Sequence, residues 1–297
     1  MATVTTAHEA SQPTTRRSPR KLPYRVLFYL SVLAFMAIIL VPIYYIFLTA
    51  FMPGSRLFST PLNYFPEGLN LNRFRIVFTS LPLGRYLLNT LFLATVSTII
   101  ALVVSFLGAY GIARIRFPGA NLVLVGLLLS SALPGVATVI PLFQMYQTLH
   151  LMNTLQGLLL LYVSALLPVT VWVLVSFIRQ VPSEIEDAAR VDGAGFVQLL
   201  SRIVLPLVSP AIATLGVINF IVSWNEFFTP LIFARGPNSK VISMALTEAQ
   251  VVGSSTQFYQ NWGNMSAVAI LATAPVFLVT LIFQRQIVEG ITSGAVK

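Results

Sequence analysis

From Phe117 to Ile178 the chain runs without a single Asp, Glu, Lys or Arg, and the same holds between Arg25 and Arg56 and between Arg85 and Arg114. A helix needs about 20 apolar residues to cross the ~30 Å hydrocarbon core of a bilayer. Each of the shorter stretches can cross once, and the longest can cross twice. Charged residues make up 9% of the sequence, where soluble domains carry about a quarter. Water is not the main solvent of this chain, and the fold class that follows is an all-α integral membrane protein.

Apolar runs bounded by charge or turn residues predict six transmembrane helices, near 27–50, 86–110, 121–145, 156–178, 207–228 and 267–284. The first is too long for a signal-peptide core and lacks a small-residue cleavage signature. It ends in Tyr44 and Tyr45, which suit an interfacial belt, so it is expected to be retained. Residues 1–24 carry Thr, Ser, Pro and Arg without a hydrophobic pattern. They are expected to form a disordered basic cytoplasmic tail on the anionic inner leaflet, with residues 25–297 as the membrane domain.

The net charge of +9 does not point to nucleic acid, because the cations punctuate apolar spans instead of clustering on one solvated face. With the N-terminus in the cytoplasm, Arg16, Arg17, Arg20, Lys21, Arg25, Arg114, Arg116, Arg179, Arg190, Arg202, Arg285 and Lys297 fall inside, twelve of the 18 cations. The positive-inside rule therefore favours both termini in the cytoplasm. The longer connections near 51–85 and 229–266 then lie outside, where a partner could touch them. There is no cysteine, and only His8 and His150, which leaves no thiolate or histidine-rich metal site.

Between the fourth and fifth spans lies VPSEIEDAARVDGAGFVQLLSRIVLP, residues 181–206. Ser183 with Glu186 three residues on has capping-box spacing, and Glu184, Glu186 and Asp187 put negative charge in a first turn, where the helix dipole favours it. A helix is expected from Glu184, with Ile185, Ala188 and Ala189 on one side and an end near Asp192 and Gly193, where glycine can adopt positive φ. Phe196, Leu199, Leu200 and Ile203 predict a second short helix, stopped by Leu205-Pro206. Periodicity alone leaves an ordinary amphipathic connector open as a reading.

Asp187-Ala188-Ala189, Asp192-Gly193, nine intervening residues and then Ile203-Val204-Leu205-Pro206 resemble the EAA motif of binding-protein-dependent ABC importer permeases. Phe65-Pro66, Gly111–Phe117, Leu133-Pro134-Gly135, Trp224–Phe228 and the C-terminal run from Phe283 resemble the maltose-type sugar permeases. The first motif position is usually Glu and here is Asp187, preceded by Glu186. The resemblance implies a type I ABC importer permease in a prokaryotic inner membrane, the smaller of two homologous permease subunits. Glu186, Asp187, Ala188, Ala189, Asp192, Gly193, Leu205 and Pro206 would form the loop that docks on a cytoplasmic ATPase dimer, with a sugar-binding protein outside.

The sequence has no G-x-x-x-x-G-K-[ST] run, so the chain is expected to be non-catalytic and to bind no cofactor, ATP and Mg lying on the partner ATPase. In the fifth span Asn219, Ser223 and Glu226 make a polar stripe, and with Trp224 and Asn225 they are candidates for the sugar path, since neutral polyols are recognised by hydrogen bonds and aromatic faces. Helix–helix hydrogen bonding is the competing reading of the same residues. A related ABC importer for another solute and a secondary carrier remain alternatives, the carrier having only Glu226 as a buried coupling carboxylate. No nucleophile–base pair or paired carboxylates support an enzyme.

Overall fold

A computed structural model describes residues 21–53, 56–57, 59–60, 64–65, 68–252 and 258–293, with side chains at all of these except 21–23, 258–260 and 287–293. Residues 1–20 of the expected tail, Pro66 and residues 294–297 lie outside the described residues. The chain divides into two units, Met1–Ile46 and Phe47–Lys297. The first is made by α1, Lys21–Phe51, which takes Lys21–Tyr24 into its first turn and whose last turn belongs to the second unit. From Val26 to Ile46 its side chains are exposed and, Ser31 apart, apolar or weakly polar on all sides, and the hydroxyl of Ser31 is spent on the carbonyls of Leu27 and Phe28. A helix with no polar face is built for lipid.

The second unit is a helical bundle centred on α3, Leu83–Arg114, and α6, Leu155–Gln180, which pack along one another, with α10, Ser209–Trp224, against both. Small residues make the approach close: Ala94, Ser97, Ala101, Ser105 and Ala109 of α3 are fully buried. Such stripes suit helix pairing in a membrane, where packing replaces the hydrophobic driving force. Outside this centre, α13, Phe258–Ser293, lies on α10 and holds α2, Asn72–Ser80, at its beginning. There the Arg73 guanidinium occupies the space where a side chain at Gly263 would stand, and burial lowers its pKa.

Among the described residues, four helices are long and apolar enough to cross a membrane: Tyr24–Phe51, Leu83–Arg114, Leu155–Gln180 and Asn261–Gln286. The other two predicted spans are bent pairs. The third divides at Leu133-Pro134 into α4, Ala120–Ala132, and α5, Gly135–Thr148, at 96°. Leu133 is extended, the conformation a residue before proline prefers, and Pro134 cannot donate back to the preceding turn. The fifth is α10 with the helical segment Phe196–Leu207 ahead of it, at 77°.

The described parts of the connections at the end of the bundle away from the 181–206 loop include short helices. The one after α10 contains α11, Phe228–Phe233, and α12, Ile242–Glu248, packed on α6, α3 and α13. The short α5–α6 connection is stitched to it: the Asn153 N–H donates to the Phe233 carbonyl, and Gly236 N–H donates to Asn153 Oδ1, both at 2.8 Å.

Candidate functional site

The predicted helix of the 181–206 loop is α7, Ser183–Val191. Pro182 is its N-cap and Ser183 its first residue, and the Ser183–Glu186 capping box does not form. Glu186 is 2% exposed because it has better partners inside. It accepts from the Tyr110 hydroxyl at 2.8 Å and from Arg114 Nε at 2.6 Å, with Arg190 at 3.9 Å. Arg114 also donates through Nη2 to the Val181 carbonyl at 2.7 Å, gripping the joint between α6 and α7. A carboxylate so buried is tolerable only when paired and hydrogen-bonded.

This anchor sets which way the helix faces. Glu186 and Ala189 are the buried pair, three residues apart. Of Ile185, Ala188 and Ala189, expected on one side, Ala189 is buried while Ile185 and Ala188 are turned out, and so is Val191, 87% exposed. Asp187 points outward as well, its side chain 67% exposed and paired at 3.2 Å with Arg190 on the next turn. The neighbouring acids Glu186 and Asp187 thus have opposite assignments, one inside the bundle and one in solvent.

The turn that ends α7 has the expected form. Gly193 has φ +87°, its N–H donates to the Arg190 carbonyl at 3.1 Å, and the Ala194 N–H reaches back to the Ala189 carbonyl at 2.9 Å. Those two bonds make a Schellman motif with Asp192 as C-cap.

The second arm is α8, Phe196–Leu199, a π-helical turn Leu200–Val204 and α9, Leu205–Leu207. The Leu205 N–H closes the wide turn on the Leu200 carbonyl. The widening falls just before Pro206, whose ring would crowd the carbonyl four residues back and which has no N–H to offer it. The chain does not stop at Leu205-Pro206 as predicted but at Val208, two residues on. There Ser209 Oγ donates at 2.8 Å to the Pro206 carbonyl, the acceptor that Pro210 cannot serve. Leu199, Leu200 and Val204 bury into the same core as Ala189, Leu174 and Ile178. Leu205 and Pro206 are exposed, and between the two arms lies a cleft of about 380 Å³ lined by Asp192, Gly193, Ala194, Gln198, Arg202 and Ile203.

The polar residues of the fifth span are buried and engaged between helices. Asn219 donates to Thr170 of α6 at 3.1 Å, Ser223 and Ser97 of α3 share a hydrogen bond at 3.1 Å, and Trp224 Nε1 donates to the Ala272 carbonyl of α13 at 3.0 Å. The helix ends at Trp224, so Glu226 is not on the stripe. Its carboxylate accepts from the Thr229 N–H at 2.8 Å, capping α11. Asn225 is exposed. Beside it a cavity of about 380 Å³ is lined by Trp224, Asn225, Phe227, Ser243, Thr247 and Thr273 among others.

Sequence reasoning missed Tyr110 and Arg114 as members of the site. They stand four residues apart at the end of the apolar run, a spacing that puts both on one helix face, yet their partner lies 72 positions from Arg114 along the chain.

Residues 101–293 match the family of binding-protein-dependent transport system inner membrane components. The chain is 33% identical, over 87% of its length and 92% of the relative's, to the trehalose transport system permease protein SugB of Mycobacterium tuberculosis. It is 31% identical, over 86% and 91%, to the diacetylchitobiose uptake system permease protein DasC of Streptomyces coelicolor. Among solved structures, a bacterial ABC transporter involved in the import of the acidic polysaccharide alginate is similar with TM-score 0.76 and 20% identity, covering 92% of this chain and 99% of that one. The fold is that of a type I ABC importer permease. The chain belongs to the binding-protein-dependent transport system inner membrane components, as a multi-pass permease subunit.

Proposed function

We propose that the chain forms half of the translocation path of an ATP-driven importer of oligo- or disaccharides, and that residues 181–206 dock it onto a cytoplasmic ATPase dimer carrying ATP and Mg. The single observation that carries this reading is the division of labour on α7: Glu186 ties one face to α3, while Asp187, Ala188 and Val191 stand exposed on the other. An element that passes force between two bodies must be fixed to one and open to the other. Asp192, Gly193, Leu205 and Pro206 shape and bound that docking face. Arg114, Arg179, Arg190 and Arg202 gather at this end of the bundle, which supports placing it, with both termini, in the cytoplasm.

The carbohydrate class rests on relatives named for trehalose and diacetylchitobiose. The remaining partners are a second, homologous permease and an extracytoplasmic sugar-binding protein. Docking of loaded binding protein and closure of the ATPase dimer together open the spans outward, and hydrolysis returns them inward. For the sugar path, Asn225 is exposed and lines the cavity with Trp224, whereas Asn219 and Ser223 are spent between helices, holding α10 in place. A carrier mechanism is disfavoured because Glu226 is committed to capping α11.

The test is reconstitution in liposomes of this chain with its second permease, ATPase and binding protein, assayed with trehalose, diacetylchitobiose and maltose. One of these sugars, with binding protein, is expected to stimulate ATP hydrolysis and to enter the lumen. Hydrolysis indifferent both to this chain and to every sugar would sink the reading.

A further inference from the structure

The two ends of α3 are held in the same way. At the Arg114 end, the Tyr110 hydroxyl and a cation share the carboxylate of Glu186. At the Leu83 end, the Tyr86 hydroxyl donates to Glu248 Oε2 at 2.9 Å and Lys240 pairs with the other oxygen of the same carboxylate. The grip there is wider still. Asn89 Nδ2 donates to the carbonyls of Asn238 and Lys240 at 3.0 and 2.8 Å, and the Ile242 N–H donates to Thr90 Oγ1 at 2.8 Å. Tyr86, Asn89 and Thr90 thus lay the segment from Asn238 to Glu248 along the end of α3, all three at most 8% exposed.

Between these polar ends α3 meets its neighbours mainly by apolar packing, with Leu93 and Phe106 buried and, among the described residues, one neutral hydrogen bond, between Ser97 and Ser223. Ala94, Ala101 and Ala109 offer no knob, and the buried hydroxyls of Thr98 and Ser105 have no hydrogen-bond partner among the described residues. The carboxylate grips on this rod are at its ends, which lie about 36 Å apart at 1.5 Å per residue over the 24 residues from Tyr86 to Tyr110. The Arg114 end also has a lever. Helix α7 is covalently continuous with α6 through Val181-Pro182 and is bound to α3 by Glu186, so any slide of α3 along α6 must tilt α7.

We propose that α3 is a strut between the 238–248 segment and the 181–206 loop, and that Tyr86, Lys240 and Glu248 are positioning residues for transport: they convert a displacement of that segment into a tilt of α7. The proposal rests on the reading of function above, in which α7 faces the ATPase and the sugar-binding protein lies outside, on the side of the 229–266 connection that contains this segment.

Two residues this far apart with no shared partner affect function independently unless something connects them. The experiment compares Tyr86→Phe, Tyr110→Phe and the double variant in the reconstituted complex. Each keeps its ring and loses one hydroxyl. Each single variant is expected to lower the binding-protein-stimulated ATPase rate by about tenfold, the value of one hydrogen bond to a charged group. The double is expected to fall no further than the lower single. Multiplied losses, or no loss from Tyr86→Phe, overturn the strut. The chain has no cysteine, so a fluorophore on Glu184→Cys gives a second readout. Sugar-loaded binding protein should change its signal in the parent and not in Tyr86→Phe, and an equal change in both overturns the proposal. A parent complex that none of trehalose, diacetylchitobiose and maltose stimulates overturns the functional reading and the strut with it.

Discussion

Arg114 Nε lies 2.6 Å from Glu186 Oε1, and with the Tyr110 hydroxyl at 2.8 Å on the other oxygen it holds a charged side chain inside the bundle. Removing one member of a buried pair strands the other, at a cost of about 3 kcal/mol. Glu186→Ala is therefore expected to lower the thermal unfolding midpoint of the purified complex and to abolish coupling. Joint replacement with Glu186→Leu and Arg114→Met should recover most of the midpoint but not the uptake. A midpoint unchanged in Glu186→Ala would show that the carboxylate is not an anchor.

Asp187 presents the opposite case one residue away. Its pairing with Arg190 is between exposed groups, and such pairs contribute about 0–1 kcal/mol. Asp187→Ala should leave the unfolding midpoint where it is and lower stimulated ATP hydrolysis about tenfold or more, as expected when a charge is removed from a docked interface. Asp187→Glu, which restores the residue usual at this motif position, should hydrolyse and transport at least as well as the parent. A loss of stability without loss of coupling in Asp187→Ala would reverse the roles assigned to the two acids.

Much of this was legible in the sequence, and what was not has a physical reason. The uncharged runs located the spans, since backbone satisfaction in lipid leaves helices little alternative. The glycine turn was legible because positive φ at Gly193 is a local demand. The angles of the bends at Leu133-Pro134 and Val208 were not, because neither a proline break nor hydropathy registers direction. The capping box failed for a related reason: Ser183 and Glu186 have the local spacing, but Tyr110 and Arg114 are the stronger partners for the carboxylate and belong to another helix. The polar stripe of the fifth span was visible, whereas the partners that bury Asn219 and Ser223 came from α6 and α3.

At Gly193 the restriction is conformational, since a Cβ there would meet nothing within 4 Å. Gly193→Val should therefore fold and assemble, with the turn alone strained by about 1–2 kcal/mol. Sugar capture by the binding protein is expected to be unchanged and uptake sharply reduced. Gly193→Asn, which adopts left-handed backbone more readily, should retain most uptake. Equal uptake in all three proteins would mean that the turn does not set the position of α7.

Asn219 and Asn225 separate the two readings of the fifth span. Asn219 is 5% exposed and bonded to Thr170 across the helix interface, and hydrogen bonds between membrane helices contribute about 0.6 kcal/mol on average and up to about 2. Asn219→Ala should lower the unfolding midpoint modestly and leave the sugar concentration for half-maximal uptake within twofold of the parent. Asn225 is exposed beside the cavity next to Trp224 and Phe227, and among the described residues its side chain bonds back to the Ile221 carbonyl of its own helix. Asn225→Ala should leave the midpoint alone and change either the sugar requirement or the maximal uptake rate, because a hydrogen bond to a polyol would be lost without any helix contact being lost. Uptake measured across sugar concentrations, beside an unfolding curve for each variant, decides it. If Asn219→Ala shifted sugar dependence at an unchanged midpoint, Asn219 would belong to the path and not to the packing.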